Sequence, residues 1–117
     1  MKNVIIVGSN GLIGNGLVHS LSKNCTVIGI DLKNSSKQKN FYKCNINNEK
    51  NLVQTLIKIQ KKFNFIDGMV NAAYPRNKNL GLDFEKLNLK DFNQNINLNL
   101  GSLFLLLKHS YKIFKNF

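Results

Sequence analysis

Asn3-Val-Ile-Ile-Val-Gly8-Ser-Asn-Gly11-Leu-Ile-Gly14 is the stretch that decides the fold of this chain. Val4 to Val7 is an unbroken apolar, β-branched run, the pattern of a parallel strand buried on both faces. From Leu12 the apolar period lengthens to that of a helix. Ile13, Leu17 and Leu21, with Leu12 and Val18 beside them, share one face, and Lys23-Asn24 ends it. Between strand and helix lie Gly8, Gly11 and Gly14. A tight turn there requires residues without a Cβ, and a helix N-terminus presents free N–H groups and a positive dipole end. The three glycines therefore mark a place where backbone closes around an anion, and a diphosphate fits the spacing.

Working outward, Cys25 to Ile30 is a second apolar strand, and it ends at Asp31, about twenty residues beyond the glycine loop. A carboxylate there accepts hydrogen bonds from the hydroxyls of an adenosine ribose and repels a 2′-phosphate. Strand, glycine loop, helix, strand and acid together describe a dinucleotide-binding Rossmann unit. Gly8, Ser9, Asn10, Gly11, Leu12, Ile13, Gly14, Asp31 and Leu32 are its expected cofactor contacts. Asp31 favours NAD, while the neighbouring Lys33 leaves NADP open.

The remainder repeats the alternation. Leu32 to Asn40 is a polar loop or poorly formed helix, and Phe41 to Cys44 is a short third strand. Leu52, Leu56, Ile59 and Phe63, flanked by Val53 and Ile57, make an amphipathic helix between Asn48 and Phe63. Phe65 to Val70 supplies a fourth strand. Tyr74 to Leu87, holding the single proline, is a long surface loop. Asn88 and Asp91 have the spacing of a capping box, after which Phe92, Ile96, Leu100, Leu103, Leu107 and Phe114 continue one helical face to the end. The expected class is α/β, a doubly wound parallel sheet of order 3-2-1-4, in a single domain spanning residues 1–117.

Seventeen Lys and Arg against six Asp and Glu give a net charge of +11. The lysines are scattered among twenty asparagines, without a dense basic tract or an aromatic stacking platform, which describes a solvated surface rather than a nucleic-acid interface. Cys25 and Cys44 read as free thiols in buried strands, with no ligand spacing for a metal. No signal peptide is visible, and the longest apolar stretch, Leu98 to Leu107, is about half a membrane span. A cytoplasmic protein without a membrane or nucleic-acid partner is expected.

Asn71-Ala-Ala-Tyr74, after the fourth strand, resembles the segment that the short-chain dehydrogenase/reductase family writes N-N-A-G or N-A-A-G. The similarity covers essentially the whole chain. More narrowly, Val70-Asn-Ala-Ala-Tyr-Pro-Arg-Asn-Lys-Asn79, followed by Asp91-Phe92 and Asn97-Leu-Asn-Leu-Gly-Ser102, resembles the flagellin-modification oxidoreductases of that family, which are associated with sugars that decorate bacterial surfaces. The resemblance implies that Asn45 and Ile46 meet the adenine, that Asn71, Ala72 and Ala73 lie along the cofactor, and that Asn99 supports catalysis by binding a water, with Asn97 as its rival. The loop spacing G-x-x-G-x-x-G departs from the T-G-x-x-x-G-x-G of most members.

The family's chemistry uses a serine and a Tyr-x-x-x-Lys pair carried downstream of a fifth strand. Tyr111 and Lys115 have that spacing but fall in the same helix as Asn99, where any tyrosine and lysine a turn apart produce it. The chain stops at Phe117, so the resemblance implies the cofactor-binding part of an oxidoreductase acting on a small molecule, a sugar in surface-glycan or flagellin biosynthesis, and inactive alone. A homo-oligomer through the last helix is implied as well. Two other readings stand beside it: a non-catalytic NAD-binding module or pseudoenzyme, and, from the charge, a nucleic-acid binder.

Overall fold

Apolar strands that alternate with amphipathic helices can bury both faces only if the strands run parallel and the helices cross over them. The computed structural model, which describes residues 1–114, has that arrangement. Its elements are β1 (Lys2–Val7), α1 (Leu12–Leu21), β2 (Cys25–Asp31), β3 (Phe41–Lys43), α2 (Glu49–Phe63), β4 (Gly68–Asn71), α3 (Leu89–Ile96) and α4 (Ser102–Ser110). A π-helical stretch, Asn97–Gly101, joins the last two, and single 3-10 turns lie at Phe84–Lys86 and Tyr111–Ile113. The sheet order is β3-β2-β1-β4, all parallel, as the alternation predicts.

The register brings the carboxyl ends of the strands level. Val7 pairs with Ile30 on one side and with Asn71 on the other, and Asp31 pairs with Lys43. Strand order reverses at β1, because the chain first builds outward to β3 and then returns to place β4 on the other flank. Open α/β sheets bind ligands at that switch point, outside the carboxyl ends of the strands.

One face of the sheet carries the larger core. Ile5, Val7, Ile28 and Ile30 pack with Leu52, Leu56 and Ile59 of α2, Leu106 of α4, and with Ile66 and Ile113. The Ile66 N–H donates to the Ile113 carbonyl at 2.9 Å, and Ile66 and Phe114 form a parallel bridge beside the start of β4. Helix α2 begins where Asn48 caps it, its side chain accepting from the Asn51 N–H at 3.0 Å. The other face, with Ile6 and Val27, is covered by α1.

Three expectations need correction. Leu12 and Ile13 do not belong to the buried face of α1; they are exposed at its N-terminus, and Gly14, Leu17, Val18 and Leu21 make the contact face. Cys25 is half-buried rather than buried, whereas Cys44 is buried; both are free. The apolar stripe of the last helices points outward, with Phe92 60% and Leu100 63% exposed. The inward side instead carries Asp91, Asn95, Asn99, Ser102, Leu106 and Ser110. Lys115 lies outside the described residues, so the Tyr111–Lys115 spacing has no structural counterpart here.

Burial pushes the Cys44 thiol and the Tyr42 hydroxyl above their ordinary pKa values, the former offset in part by a hydrogen bond with Thr55. Glu49 at the start of α2 is held below the usual carboxylate range, first by its hydrogen bond with His109 at 2.7 Å and then by Lys108 at 3.4 Å. These contacts tie the N-terminus of α2 to the end of α4. No helix among the described residues is long and apolar enough to cross a membrane.

Candidate functional site

The glycine loop turns at the switch point because its backbone adopts conformations and approaches that side chains forbid. Gly8 has φ +77°, and a Cβ there would stand 2.6 Å from the Ala73 nitrogen and 2.8 Å from the Ala72 carbonyl carbon. A Cβ on Gly14 would overlap the Gly8 carbonyl, so this glycine seats α1 directly on the loop. Gly11 is different. Its Cβ would meet only the Gly8 oxygen, at an ordinary 3.4 Å, and no other atom within 4 Å. Gly11 caps α1 without a side-chain bond, and the first turn carries no acidic residue. The N–H groups of Leu12 and Ile13 have no acceptor within the helix and remain available to an anion.

Asp31 closes the other side. Its Oδ2 accepts from the Asn10 N–H at 2.8 Å and its Oδ1 from the Leu32 N–H at 2.6 Å. The carboxylate therefore holds the glycine loop to the end of β2 while keeping further lone pairs for a ligand. Asn10 adds a second strap, donating from Nδ2 to the Lys33 carbonyl at 2.7 Å.

These groups border one hollow of about 630 Å³, within the range of small-molecule sites. Of the residues expected from sequence, Gly8, Asn10, Gly11, Leu12, Ile13, Asp31, Leu32, Asn45, Ile46, Ala72 and Ala73 line it. Ser9 and Gly14 lie behind it, and Asn71, at the end of β4, accepts from the Ala73 N–H at 3.2 Å. Asn45 forms an Asx turn, its Oδ1 accepting from the Asn47 N–H at 3.0 Å. Val7, Ile30, Lys33, Cys44, Asn47, Tyr74, Pro75 and Arg76 complete the wall. Lys33 and Arg76 are its cationic groups, and the Arg76 guanidinium lies 5.6 Å from the Tyr74 ring centre.

Asn99 sits elsewhere. It belongs to the π-helical stretch and donates from Nδ2 to the Pro75 carbonyl at 2.8 Å and to the Asn95 carbonyl at 3.0 Å. It lines a second hollow of about 750 Å³ with Asn95, Phe84, Phe92 and Tyr74, the last shared with the first hollow. Asn97 is exposed. The loop between β4 and α3 is held by a knot of amides around buried Asp91, whose Oδ1 accepts from Asn77 at 3.1 Å and from Asn79 at 2.9 Å. Asn88 caps α3 by accepting from the Asp91 N–H at 2.8 Å, so the capping spacing is used for the helix in one direction and for the loop in the other. Nothing in the sequence of so Asn-rich a chain distinguishes Asn77, Asn79 and Asn95, the amides that build the knot, from a solvated surface.

Comparison with known proteins bears on this arrangement. No curated protein sequence matches the chain. A family described as enoyl-(acyl carrier protein) reductase matches residues 24–117. Among solved structures, a short chain dehydrogenase of Leptospira borgpetersenii serovar Hardjo-bovis with bound NAD+ is 26% identical with a TM-score of 0.79, over 95% of this chain and 45% of that one. The aldohexose dehydrogenase of Thermoplasma acidophilum is 19% identical with a TM-score of 0.81, over 96% and 44%. The 2-keto-3-deoxy-D-gluconate dehydrogenase of Streptococcus agalactiae is 20% identical with a TM-score of 0.75, over 96% and 46%. At those identities the last two speak to the fold alone. The chain spans a little under half the length of these structures.

Proposed function

The chain belongs to the short-chain dehydrogenase/reductase family, and from that premise we propose that its hollow holds a nicotinamide dinucleotide, NAD in preference to NADP. The observation that carries this reading is the convergence of three recognition chemistries on one cavity: helix N–H groups at Leu12 and Ile13, a ribose acceptor at Asp31, and the Asn45–Ile46 corner for adenine. Such a cofactor, when bound, supplies hydride transfer at a hydroxyl or carbonyl carbon. What the chain's own residues do is hold the adenosine and pyrophosphate and lay Ala72 and Ala73 beside them.

The reading extends to a small polar substrate, a sugar of surface-glycan or flagellin-modification biosynthesis. It draws on the resemblance of Val70 to Asn79, and on the Asn95 and Asn99 amides facing the second hollow next to Tyr74 and Arg76. The acid–base residues of the family pattern have no counterpart among the described residues, so activity of this chain alone is not part of the reading.

Titration with NADH monitored by its fluorescence tests it. Saturation well below about 1 mM is expected, equivalent to binding stronger than about −4 kcal/mol. An unchanged signal at that concentration, together with DNA binding that weakens steeply with salt, would replace the nucleotide reading with the nucleic-acid one.

The outward stripe of Leu89, Phe92, Ile96, Leu100, Phe104 and Leu107 is also read as the face on which a second copy packs, since contiguous apolar surface of this kind marks an interaction site. Light scattering is expected to give at least twice the 13.3 kDa chain mass. A monodisperse monomer would remove that proposal and leave the nucleotide site untouched.

A further inference from the structure

Gln38 belongs to the polar loop between β2 and β3, yet its side chain runs back beneath the glycine loop. Its Nε2 donates to the Ser9 carbonyl at 3.2 Å and to the Asn10 Oδ1 at 2.9 Å. Room for it exists because residue 29, in the middle of β2, has no side chain. A Cβ on Gly29 would overlap the Gln38 Oε1 and stand 2.7 Å from the Ser9 Oγ. Both oxygens are buried and have no hydrogen-bond partner among the described residues. Buried polar atoms of this kind are costly and are kept where the surrounding geometry is put to use. The amide therefore reaches the two residues between Gly8 and Gly11 from behind, on the side away from the ligand. Asp31 holds the same segment from the front, through the Asn10 N–H.

We propose that Gln38, seated in the gap left by Gly29, is a positioning residue for the phosphate-binding loop: it fixes the Ser9–Asn10 peptide so that the N–H groups at the start of α1 converge on a pyrophosphate. The assignment rests on the nucleotide reading above and adds a determinant that neither the glycine pattern nor the acid contains. Because Gln38 does not line the hollow, it acts only through the loop. Its loss weakens ligands that carry a diphosphate and spares those that do not.

The test compares ADP with adenosine on the full chain, by calorimetry for ADP and by NMR shift titration for adenosine. Gln38→Met keeps the side-chain length and removes the amide. It is expected to weaken ADP about tenfold, as loss of one or two hydrogen bonds implies, and adenosine less than about twofold. Gly29→Ala disturbs the same contact by another route, because its methyl meets the movable end of Gln38 and the Ser9 side chain rather than backbone. It is expected to weaken ADP to a similar degree, and the double variant no further, as for residues acting through one contact. Amide exchange at Asn10 and Gly11 is expected to quicken in both variants, with the melting temperature of the sheet little changed.

Parental ADP affinity in Gln38→Met overturns the assignment, and so do fully additive losses or an equal loss of adenosine. Failure of the parent chain to bind ADP at all overturns the nucleotide reading and this assignment with it, which keeps the two failures distinct.

Discussion

Replacing Gly8 by alanine is expected to abolish nucleotide binding and to remove a large part of the stability of the chain. The residue occupies left-handed backbone at φ +77°, which costs an L side chain about 1–2 kcal/mol. The larger effect is collision. The new methyl would stand 2.6 to 2.8 Å from main-chain atoms of Ala72 and Ala73, which cannot rotate away as a side chain could. Either the loop lifts off β1 or the end of β4 moves, and the Ala72 N–H bond to the Val7 carbonyl at 2.8 Å is lost in the second case. A total of about 3–5 kcal/mol is reasonable against the about 5–15 kcal/mol of a natural domain, lowering the melting temperature by at least about 10 °C. Gly11→Ala is the control, since its backbone is ordinary and its Cβ meets only an oxygen at 3.4 Å. Its melting temperature is expected within about 2 °C of the parent while NADH affinity falls, because the methyl enters the space a phosphate would take. If Gly8→Ala melts with the parent and binds NADH normally, the steric account of the loop is wrong.

Asp31→Ala is expected to raise the NADH dissociation constant about 10- to 100-fold. Two effects combine. The carboxylate accepts from the Asn10 and Leu32 N–H groups at 2.8 and 2.6 Å, so its removal frees the loop from β2. Bonds to a charged acceptor are worth about 1.5–3 kcal/mol each in stability, of which the loop passes only a part on to binding, where about 1.4 kcal/mol corresponds to a decade in affinity. Loss of the ribose contact adds to this. Removing the negative charge also relieves repulsion of a 2′-phosphate beside Lys33, so the ratio of NADPH to NADH affinity is expected to rise. Fluorescence titration with both cofactors reads the two effects separately. Equal NADH affinity in variant and parent would sink the assignment of Asp31, and an unchanged ratio would remove the selectivity role alone.

The glycine turn at the head of the sheet, and the carboxylate beside it, were legible in the chain because their determinants are local. Gly8, Gly11 and Gly14 sit within seven residues, and their spacing reports a turn, a close approach and a helix start without knowledge of anything distant. Asp31 was legible for a related reason: a strand buried on both faces admits a carboxylate only at its end, and the level ends of β1 and β2 bring that carboxylate to the loop. Asn48 and Asn88 as helix caps, and the strand order, followed from the same short-range grammar.

Contacts between segments with no periodic signature were decided only by tertiary structure. Gln38 lies in a loop that reads as featureless, and its place depends on a missing side chain at Gly29 across the sheet. The knot of Asn77, Asn79 and Asn95 around Asp91 is indistinguishable in sequence from a solvated, asparagine-rich surface. The last helices show the limit most clearly. Their pattern specifies an apolar face running through Phe92, Ile96, Leu100, Leu103 and Leu107, but periodicity identifies a face without saying what it will meet. Here the amide bonds to the β4–α3 loop and the contact with α2 turn the polar side inward, leaving Ser102 and Ser110 buried beside Leu106, and Leu100, Leu103 and Leu107 outside. Local spacing along the chain thus determined the glycine turn and the sheet, whereas the orientation of a helix depends on its neighbours, and those are specified only once the whole chain has packed.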